Sequence, residues 1–257
     1  MAGGFPRWRE RALLQFALDL LLAVAAMFAF TLLFLFGWAL WSMAHGERDS
    51  ARLLAALQQP AVPVQIAMTV VALALPALLL FAWRRPADAG ERRRSLRNAA
   101  RAATWAWALA TGVTVFVLVN LAVALAARSG VAATPSNLAL VEGAVRAHPV
   151  LLVGFAVGLA PLYEELLFRR VLFGRLWAAG RPRLGMLLSG AAFALFHEPP
   201  LLSGHAPVAA ALLWGAYGLM GVAFAWVYRR TGTLWAAVAA HAVNNALGCA
   251  ALFLTAP

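Results

Sequence analysis

Residues 149–170 read PVLLVGFAVGLAPLYEELLFRR and place two adjacent carboxylates, Glu164 and Glu165, at the end of an otherwise uncharged apolar run. Burying an ionisable side chain in such a run is expensive, so both carboxylates are candidates for function. On a helix, Glu165 and Arg169 share a face and can pair, whereas Glu164 is turned by about 100° and is free to point into a cavity. The alternative is that these charges only mark the membrane boundary.

The composition indicates a protein that crosses a membrane several times. Of the 257 residues, 63% are hydrophobic and 12% are charged, whereas soluble domains are about half apolar and a quarter charged. The net charge of +11 comes from arginines at the ends of apolar runs, so the expected partner is the lipid bilayer and not nucleic acid. All 21 basic residues are arginine, which together with the abundant alanine favours a bacterial plasma (inner) membrane. The single cysteine, Cys249, excludes an intrachain disulfide and a thiol metal cluster.

Apolar segments divide the chain into candidate spans of about 20 residues. Seven such segments occur, at residues 12–43, 62–83, 102–127, 150–168, 184–197, 208–228 and 234–254. They predict an all-α polytopic transmembrane helix bundle with about seven to eight spans, the eighth being an extra helix in the basic connector 169–183. We expect two parts. Residues 1–140 contain spans one to three and a basic cytoplasmic loop at 84–101, whose latter part forms an interfacial helix, and residues 141–257 form a catalytic core.

The arginines also predict the orientation, because cytoplasmic loops carry the excess of basic residues. Seven spans with a cytoplasmic N-terminus place 17 arginines inside and four outside. The inner set includes Arg7, Arg9 and Arg11, and the outer set includes Arg48. The histidines of the outer loops, His45, His148 and His205, are expected to be solvated.

Other polar residues lie in apolar spans where membrane stability does not call for them. His197 ends the fifth span, while His241 and Asn245 lie four residues apart on one face of the last span, with Asn244 close to that face. Each alone is more often a hydrogen-bonded packing residue. Together with the glutamates they would cost several kcal/mol if left without partners, so we expect them to meet. At a rise of 1.5 Å per residue, Glu164 lies near the inner end of its span and His197 lies deeper in the membrane. A tilted or re-entrant fifth helix would bring the two residues to the same depth.

Such a group of side chains could activate water in two ways. In a metal version, His197, His241 and Glu164 bind Zn²⁺ and leave a position for water. In a metal-free version, desolvated Glu164 acts as a general base, and Asn245 or a histidine donates to the developing oxyanion. Both versions are hydrolytic.

Three motifs resemble those of the CAAX-protease and bacteriocin-processing (CPBP, or Abi) family of intramembrane proteases. They are Glu164-Glu165-x-x-x-Arg169, Phe193-x-x-x-His197 and His241-x-x-x-Asn245, and they occur in the family's order. The resemblance covers residues 151–248 and implies an endopeptidase whose site opens toward the cytoplasm. It further implies that Glu164 is the base, supported by Glu165 and Arg169. His197 would activate water or bind metal, and His241 and Asn245 would stabilise the oxyanion or complete a metal shell. Phe193 is expected to serve packing.

We therefore expect an intramembrane endopeptidase that hydrolyses a membrane-anchored peptide or protein, CAAX-like or bacteriocin-related. The alternative is a non-catalytic membrane protein, either an immunity or scaffold factor or a small transporter that uses the buried charges as an ion path. The broken-helix repeat typical of many transporters is absent from the sequence.

Overall fold

The computed structural model describes residues 11–47, 49–200 and 204–255, so Arg7, Arg9 and Arg48 lie outside the described residues. This part of the chain forms ten helices and contains no strand, as the sequence predicted. The helices are α1 Ala12–Ala44, α2 Ser50–Gln58, α3 Val62–Arg84, α4 Ala89–Ala99, α5 Ala102–Arg128, α6 Leu138–Ala147, α7 Pro149–Ala178, α8 Pro182–His197, α9 Pro207–Thr231 and α10 Leu234–Thr255.

Six of these helices, α1, α3, α5, α7, α9 and α10, are long and apolar enough to cross a membrane. The predicted fifth span is α8, a shorter helix of 16 residues. It is nevertheless apolar and packs between α7 and α9. The chain is an integral membrane protein, and the expected count of seven to eight spans holds approximately.

Helix α7 is longer than the sequence indicated, and the predicted basic connector at 169–183 was wrong. The helix runs for 30 residues to Ala178, with no separate extra helix before α8 in this described segment. Its arginines remain in the helix because carboxylates of the same helix or of other helices compensate them. Arg169 pairs with Glu165, and Arg170 pairs with Glu91 of α4.

The longer α7 also places Glu164 differently from the expectation. Glu164 lies 14 residues before Ala178, about 21 Å along the helix, and is therefore near its middle. His197 lies 15 residues after Pro182, about 22 Å along α8. The two side chains are thus at similar heights without a re-entrant fifth helix.

A buried ion cluster fixes α1 and α3 to α7. Asp19 of α1 is fully buried, and its carboxylate lies 2.7 Å from Nε of Arg84 and 2.5 Å from Nη2 of Arg175. Gln15 accepts a further hydrogen bond from Arg175. Two guanidinium groups thus compensate one intramembrane carboxylate, as such positions require.

Glycines allow close contact between the helices that hold the candidate site. A Cβ on Gly221 of α9 would lie 2.5 Å from Cα of Gly190 in α8. A Cβ on Gly112 of α5 would lie 2.5 Å from the carbonyl oxygen of Ala240 in α10. Small residues at such crossings let backbones pack directly, which drives helix association in lipid.

The predicted interfacial helix in loop 84–101 corresponds to α4. Asp88 caps it, because its carboxylate accepts from the backbone N–H of Glu91 while the Glu91 side chain accepts from the Asp88 backbone N–H. This reciprocal pair is a capping box. Asn98 near the other end of α4 donates to the carbonyl of Gly232, which ends α9 with a φ of +69°. The helix is therefore fixed across the ends of α7 and α9.

Candidate active site

Glu164, His197 and His241 meet in the interior of the bundle. Oε2 of Glu164 lies 3.7 Å from Nε2 of His197 and 3.9 Å from Nε2 of His241. The three residues come from α7, α8 and α10, so distant parts of the sequence build one cluster. Glu164 and His241 are buried, and Oε2 of Glu164 has no hydrogen-bond partner among the described residues.

The other nitrogen of each imidazole fixes the role of the nitrogen that faces Glu164. Nδ1 of His197 lies 2.8 Å from the carbonyl oxygen of Phe193, which can only accept, so Nδ1 donates. Nδ1 of His241 donates to Oε1 of Glu165 over 2.9 Å. In each neutral imidazole, Nε2 therefore carries a lone pair. Both Nε2 acceptors thus lie less than 4 Å from the Glu164 carboxylate oxygen, an arrangement that calls for a shared proton, a water molecule or a cation.

Local helix geometry separates the two glutamates. Glu164 and Glu165 end a six-residue α-helical segment that lies between two π-helical segments, Gly154–Leu159 and Leu166–Phe173. Such π-helical turns are rare and occur frequently at functional sites. The segment directs Glu164 toward both histidines and Glu165 toward His241 and Arg169.

Arg169 is fully buried and balances the charge of Glu165. Its Nε lies 2.9 Å from Oε2 of Glu165, and its guanidinium lies 4.7 Å from the Phe193 ring and 5.3 Å from the Phe224 ring. Aromatic faces attract a cation at these distances. The Glu165–Arg169 pair is therefore neutral as a whole. Phe193 packs against Arg169 and also against the His197 ring, 4.2 Å away, as expected for a packing residue.

Among the described residues, the hydrogen bonds of Asn245 go to Asn244 and Ala156 and not to Glu164 or the histidines. Its amide nitrogen donates to the carbonyl of Ala156 over 2.8 Å, and its oxygen accepts from Asn244. Ala156 lies in the first π-helical segment of α7. Asn245 therefore joins α10 to the helix that carries Glu164 and keeps its second amide hydrogen for another acceptor.

The sequence analysis missed Tyr217 of α9. Its ring stacks on the His197 ring at 4.6 Å and 25°, so His197 is held between this ring and Phe193. Tyr217 could have been noticed in the sequence, because it is a polar aromatic residue within the apolar span 208–228.

It also missed the burial of Glu198, which follows His197. The Glu198 carboxylate accepts hydrogen bonds from the backbone N–H and the hydroxyl of Ser136. His205 was expected to be solvated, which was wrong, because its side chain is mostly buried and Nε2 lies 3.5 Å from Glu198. These contacts secure the end of α8, and with it His197, at the face of the bundle opposite α4.

The donor types of the cluster suit zinc, since Zn²⁺ binds histidine nitrogen and carboxylate oxygen. Glu165 would also orient His241 as an outer-shell carboxylate does. However, the described residues contain no group of three or more His, Cys, Asp or Glu side chains arranged to hold a metal ion. The metal version therefore stays a prediction, and no reaction step is derived through it.

The fold and the cluster together define an integral membrane helix bundle with a buried glutamate–histidine site. The family model described as "Type II CAAX prenyl endopeptidase Rce1-like" matches residues 146–247, the segment that carries all three motifs. This match confirms the resemblance to the CAAX-protease and bacteriocin-processing family.

A curated relative supports the same assignment. The chain is 27% identical over 116 residues to the "Putative membrane peptidase YdiL" of Bacillus subtilis (strain 168). The match spans 45% of this chain and 43% of that protein, which is less than half of either. No solved structure matches the chain significantly.

Proposed function

We propose that this protein is an intramembrane endopeptidase that uses Glu164 to activate water. The observation that carries the proposal is that Nε2 of His197 and Nε2 of His241 both lie within 4 Å of Oε2 of Glu164. A water molecule placed among them could donate to Glu164 and be held by an imidazole. The family match and the relative's name support peptide hydrolysis as the reaction.

In the proposed reaction, Glu164 takes a proton from water as the water oxygen forms a bond to the peptide carbonyl carbon. The carbonyl oxygen becomes an oxyanion, which the second amide hydrogen of Asn245 or a protonated histidine would stabilise. Glu164 then returns the proton to the amide nitrogen as the carbon–nitrogen bond breaks. The products are a carboxylic acid and an amine, and Glu164 is regenerated.

The remaining residues of the motifs would act through position and charge. Glu165 would keep the proton of His241 on Nδ1, so that Nε2 faces the water. Arg169 would neutralise Glu165, which leaves Glu164 as the base. Phe193 and Tyr217 would hold the His197 ring from two sides.

The substrate class follows from the buried position of the site. A substrate that reaches a site inside a helix bundle would itself be membrane-anchored, and a lipidated C-terminal CAAX-like peptide or a bacteriocin-related peptide meets that requirement. We place the protein in the bacterial plasma membrane with its N-terminus in the cytoplasm, in keeping with the arginine distribution.

The test compares Glu164→Gln with a matched control, Glu142→Gln, which changes an exposed glutamate of α6 in the same way. Purified proteins in lipid nanodiscs would be assayed for cleavage of prenylated and unprenylated C-terminal peptides. We expect Glu164→Gln to lower the cleavage rate by about 10²–10⁴-fold and Glu142→Gln to leave it unchanged. Equal cleavage by both variants would exclude Glu164 as the base, whereas absence of cleavage by the wild-type protein would favour the non-catalytic alternative.

A further inference from the structure

A cavity of about 690 Å³ lies between α4 and the adjoining ends of α3, α7, α9 and α10. It is distinct from the candidate active site, since neither Glu164 nor either histidine of the cluster lines it. On α7, its wall includes Leu162, Leu166, Arg170 and Gly174, which are spaced four residues apart along one face. The helix of the candidate site thus presents a different face to a second compartment.

The cavity is lined by four arginines and one acidic residue, Glu91. The arginines are Arg85, Arg92, Arg94 and Arg170. Glu91 is already paired with Arg170 over 2.6 Å, so the cavity retains a positive excess. Nε of Arg85 and Nε of Arg170 are buried and have no hydrogen-bond partner among the described residues.

Burial, followed by the charges of Arg170 and Arg175, lowers the pKa of Arg85. Both causes oppose the charged form of Arg85, and a bound anion would relieve the repulsion from the neighbouring guanidiniums. The lining therefore has the electrostatic character of an anion site. The guanidinium of Arg85, whose Nε is buried, extends this positive charge from the exposed arginines of α4 into the interior of the cavity.

Apart from Ser95 and Tyr228, the rest of the wall is apolar. It includes Phe81, Leu162, Leu166, Leu234, Trp235 and Val238. A free inorganic anion would leave these apolar side chains uncovered, whereas the acyl chain of a lipid would pack against them and bury their surface. Basic pockets between transmembrane helices on the cytoplasmic side are suited to anionic lipid headgroups.

We propose that this cavity is a binding site for an anionic phospholipid of the leaflet that contains α4. The headgroup phosphate lies among Arg85, Arg92 and Arg94, and an acyl chain runs along Leu162 and Leu166 of α7. This assignment depends on two matches: the arginines match the negative headgroup, and the apolar wall matches the acyl chain. It does not depend on the proposed peptidase activity.

Two charge-matched double variants on α4 test the proposal. Arg92→Gln/Arg94→Gln removes two arginines that line the cavity, whereas Arg93→Gln/Arg97→Gln removes two that do not. The full-length proteins would be titrated with phosphatidylglycerol and with phosphatidylcholine of the same acyl chains, and bound lipid would be counted by native mass spectrometry. We expect the first variant to lose phosphatidylglycerol affinity by about 10- to 30-fold and the second to retain it.

Several results would overturn the proposal. Equal loss in both variants would indicate general surface charge, and equal binding of phosphatidylcholine would indicate an apolar groove without headgroup recognition. Inorganic phosphate binding as tightly as phosphatidylglycerol would assign a soluble-anion site. Occupancy by a prenylated peptide with no phospholipid would assign the cavity to that ligand.

A second measurement remains informative if the first variant does not fold. Phosphatidylglycerol with a brominated acyl chain should quench the fluorescence of Trp235, which lines the cavity, more strongly than brominated phosphatidylcholine does. The Trp235→Phe variant should lose that headgroup-dependent part of the quenching. If the two lipids quench the wild-type protein equally, the proposal is wrong.

Discussion

Glu165 accepts a hydrogen bond from Nδ1 of His241 across 2.9 Å, although the two residues are 76 positions apart in the chain. The same carboxylate pairs with Arg169 through its other oxygen. One buried side chain therefore fixes an imidazole and compensates a buried guanidinium. Stability and the orientation of the site depend on the same group.

This double role predicts the behaviour of Glu165→Gln. The substitution leaves the Arg169 charge buried without its partner, which costs about 3–5 kcal/mol. A second change, Arg169→Met, should recover much of that stability but not the full cleavage activity, because a neutral amide then replaces the carboxylate that orients His241. Thermal unfolding in detergent and peptide cleavage would be measured on both variants. If the double variant is no more stable than the single one, the charge-compensation argument fails.

Removing metal should distinguish the two ways of activating water. If Glu164 works as a base without a metal, treatment with 1,10-phenanthroline should leave the cleavage rate unchanged, and zinc should not be stoichiometric in the purified protein. Its non-chelating isomer, 1,7-phenanthroline, provides the control. Inhibition by the chelator alone, reversed by added Zn²⁺, would establish the metal version with His197, His241 and Glu164 as ligands.

Close packing of α8 on α9 predicts different effects of alanine at two glycines of α9. Gly221→Ala places a methyl group 2.5 Å from Gly190, so the helices must separate, at a cost of about 1–3 kcal/mol. Gly215→Ala has open space around the added Cβ and should be neutral or slightly stabilising. Because α8 carries His197, the Gly221→Ala variant should also lose activity. Equal unfolding temperatures for the two variants would be incompatible with this packing.

The contact of α4 with α7 should depend on pH. The hydrogen bond from Arg170 lowers the pKa of Glu91 below its ordinary value of 4.5. A carboxylate with a lowered pKa stabilises the contact above about pH 4.5, and the stabilisation disappears as the pH falls through the lower, folded-state value. The hydrogen-exchange protection of residues 89–99, expressed relative to the intrinsic exchange rate at each pH, should therefore be high at neutral pH and fall in acid.

The Glu91→Gln variant supplies the comparison for that measurement. It cannot ionise, so its α4 should exchange faster at neutral pH and show less change on acidification. Glu142→Gln, on the exposed face of α6, should behave as the wild-type protein does. A wild-type protein whose α4 is equally protected at pH 7 and pH 3, relative to the intrinsic exchange rate at each pH, would contradict the role of this ion pair.

Much of the bundle could be predicted from the sequence because apolar runs of sufficient length have few alternatives to a membrane-spanning helix. The meeting of Glu164 with His197 and His241 could also be anticipated, since polar side chains on separate spans need one another. The family motifs then indicated that Glu164, His197 and His241 are the polar residues that form the candidate site.

The length of α7 could not be predicted in the same way. Arg169, Arg170 and Arg175 look like the end of a membrane span, because local sequence does not show that their charges are compensated. Two of the compensating carboxylates are far away in the chain, with Glu91 at a separation of 79 residues and Asp19 at 156. The burial of Glu198 was missed for a similar reason, since its partner Ser136 lies 62 residues earlier.

The Asp19 cluster has a consequence for biogenesis. Arg175 follows Asp19 by 156 residues, so the first helix is complete long before Arg175 is synthesised. Before Arg175 is made, the Asp19 carboxylate can pair only with Arg84, and only after α3 has inserted. Helix α1 therefore cannot pack stably against the bundle until the middle of the chain has been made. In nascent chains arrested before position 175, α1 should remain accessible to the cellular factors that retain unassembled membrane segments.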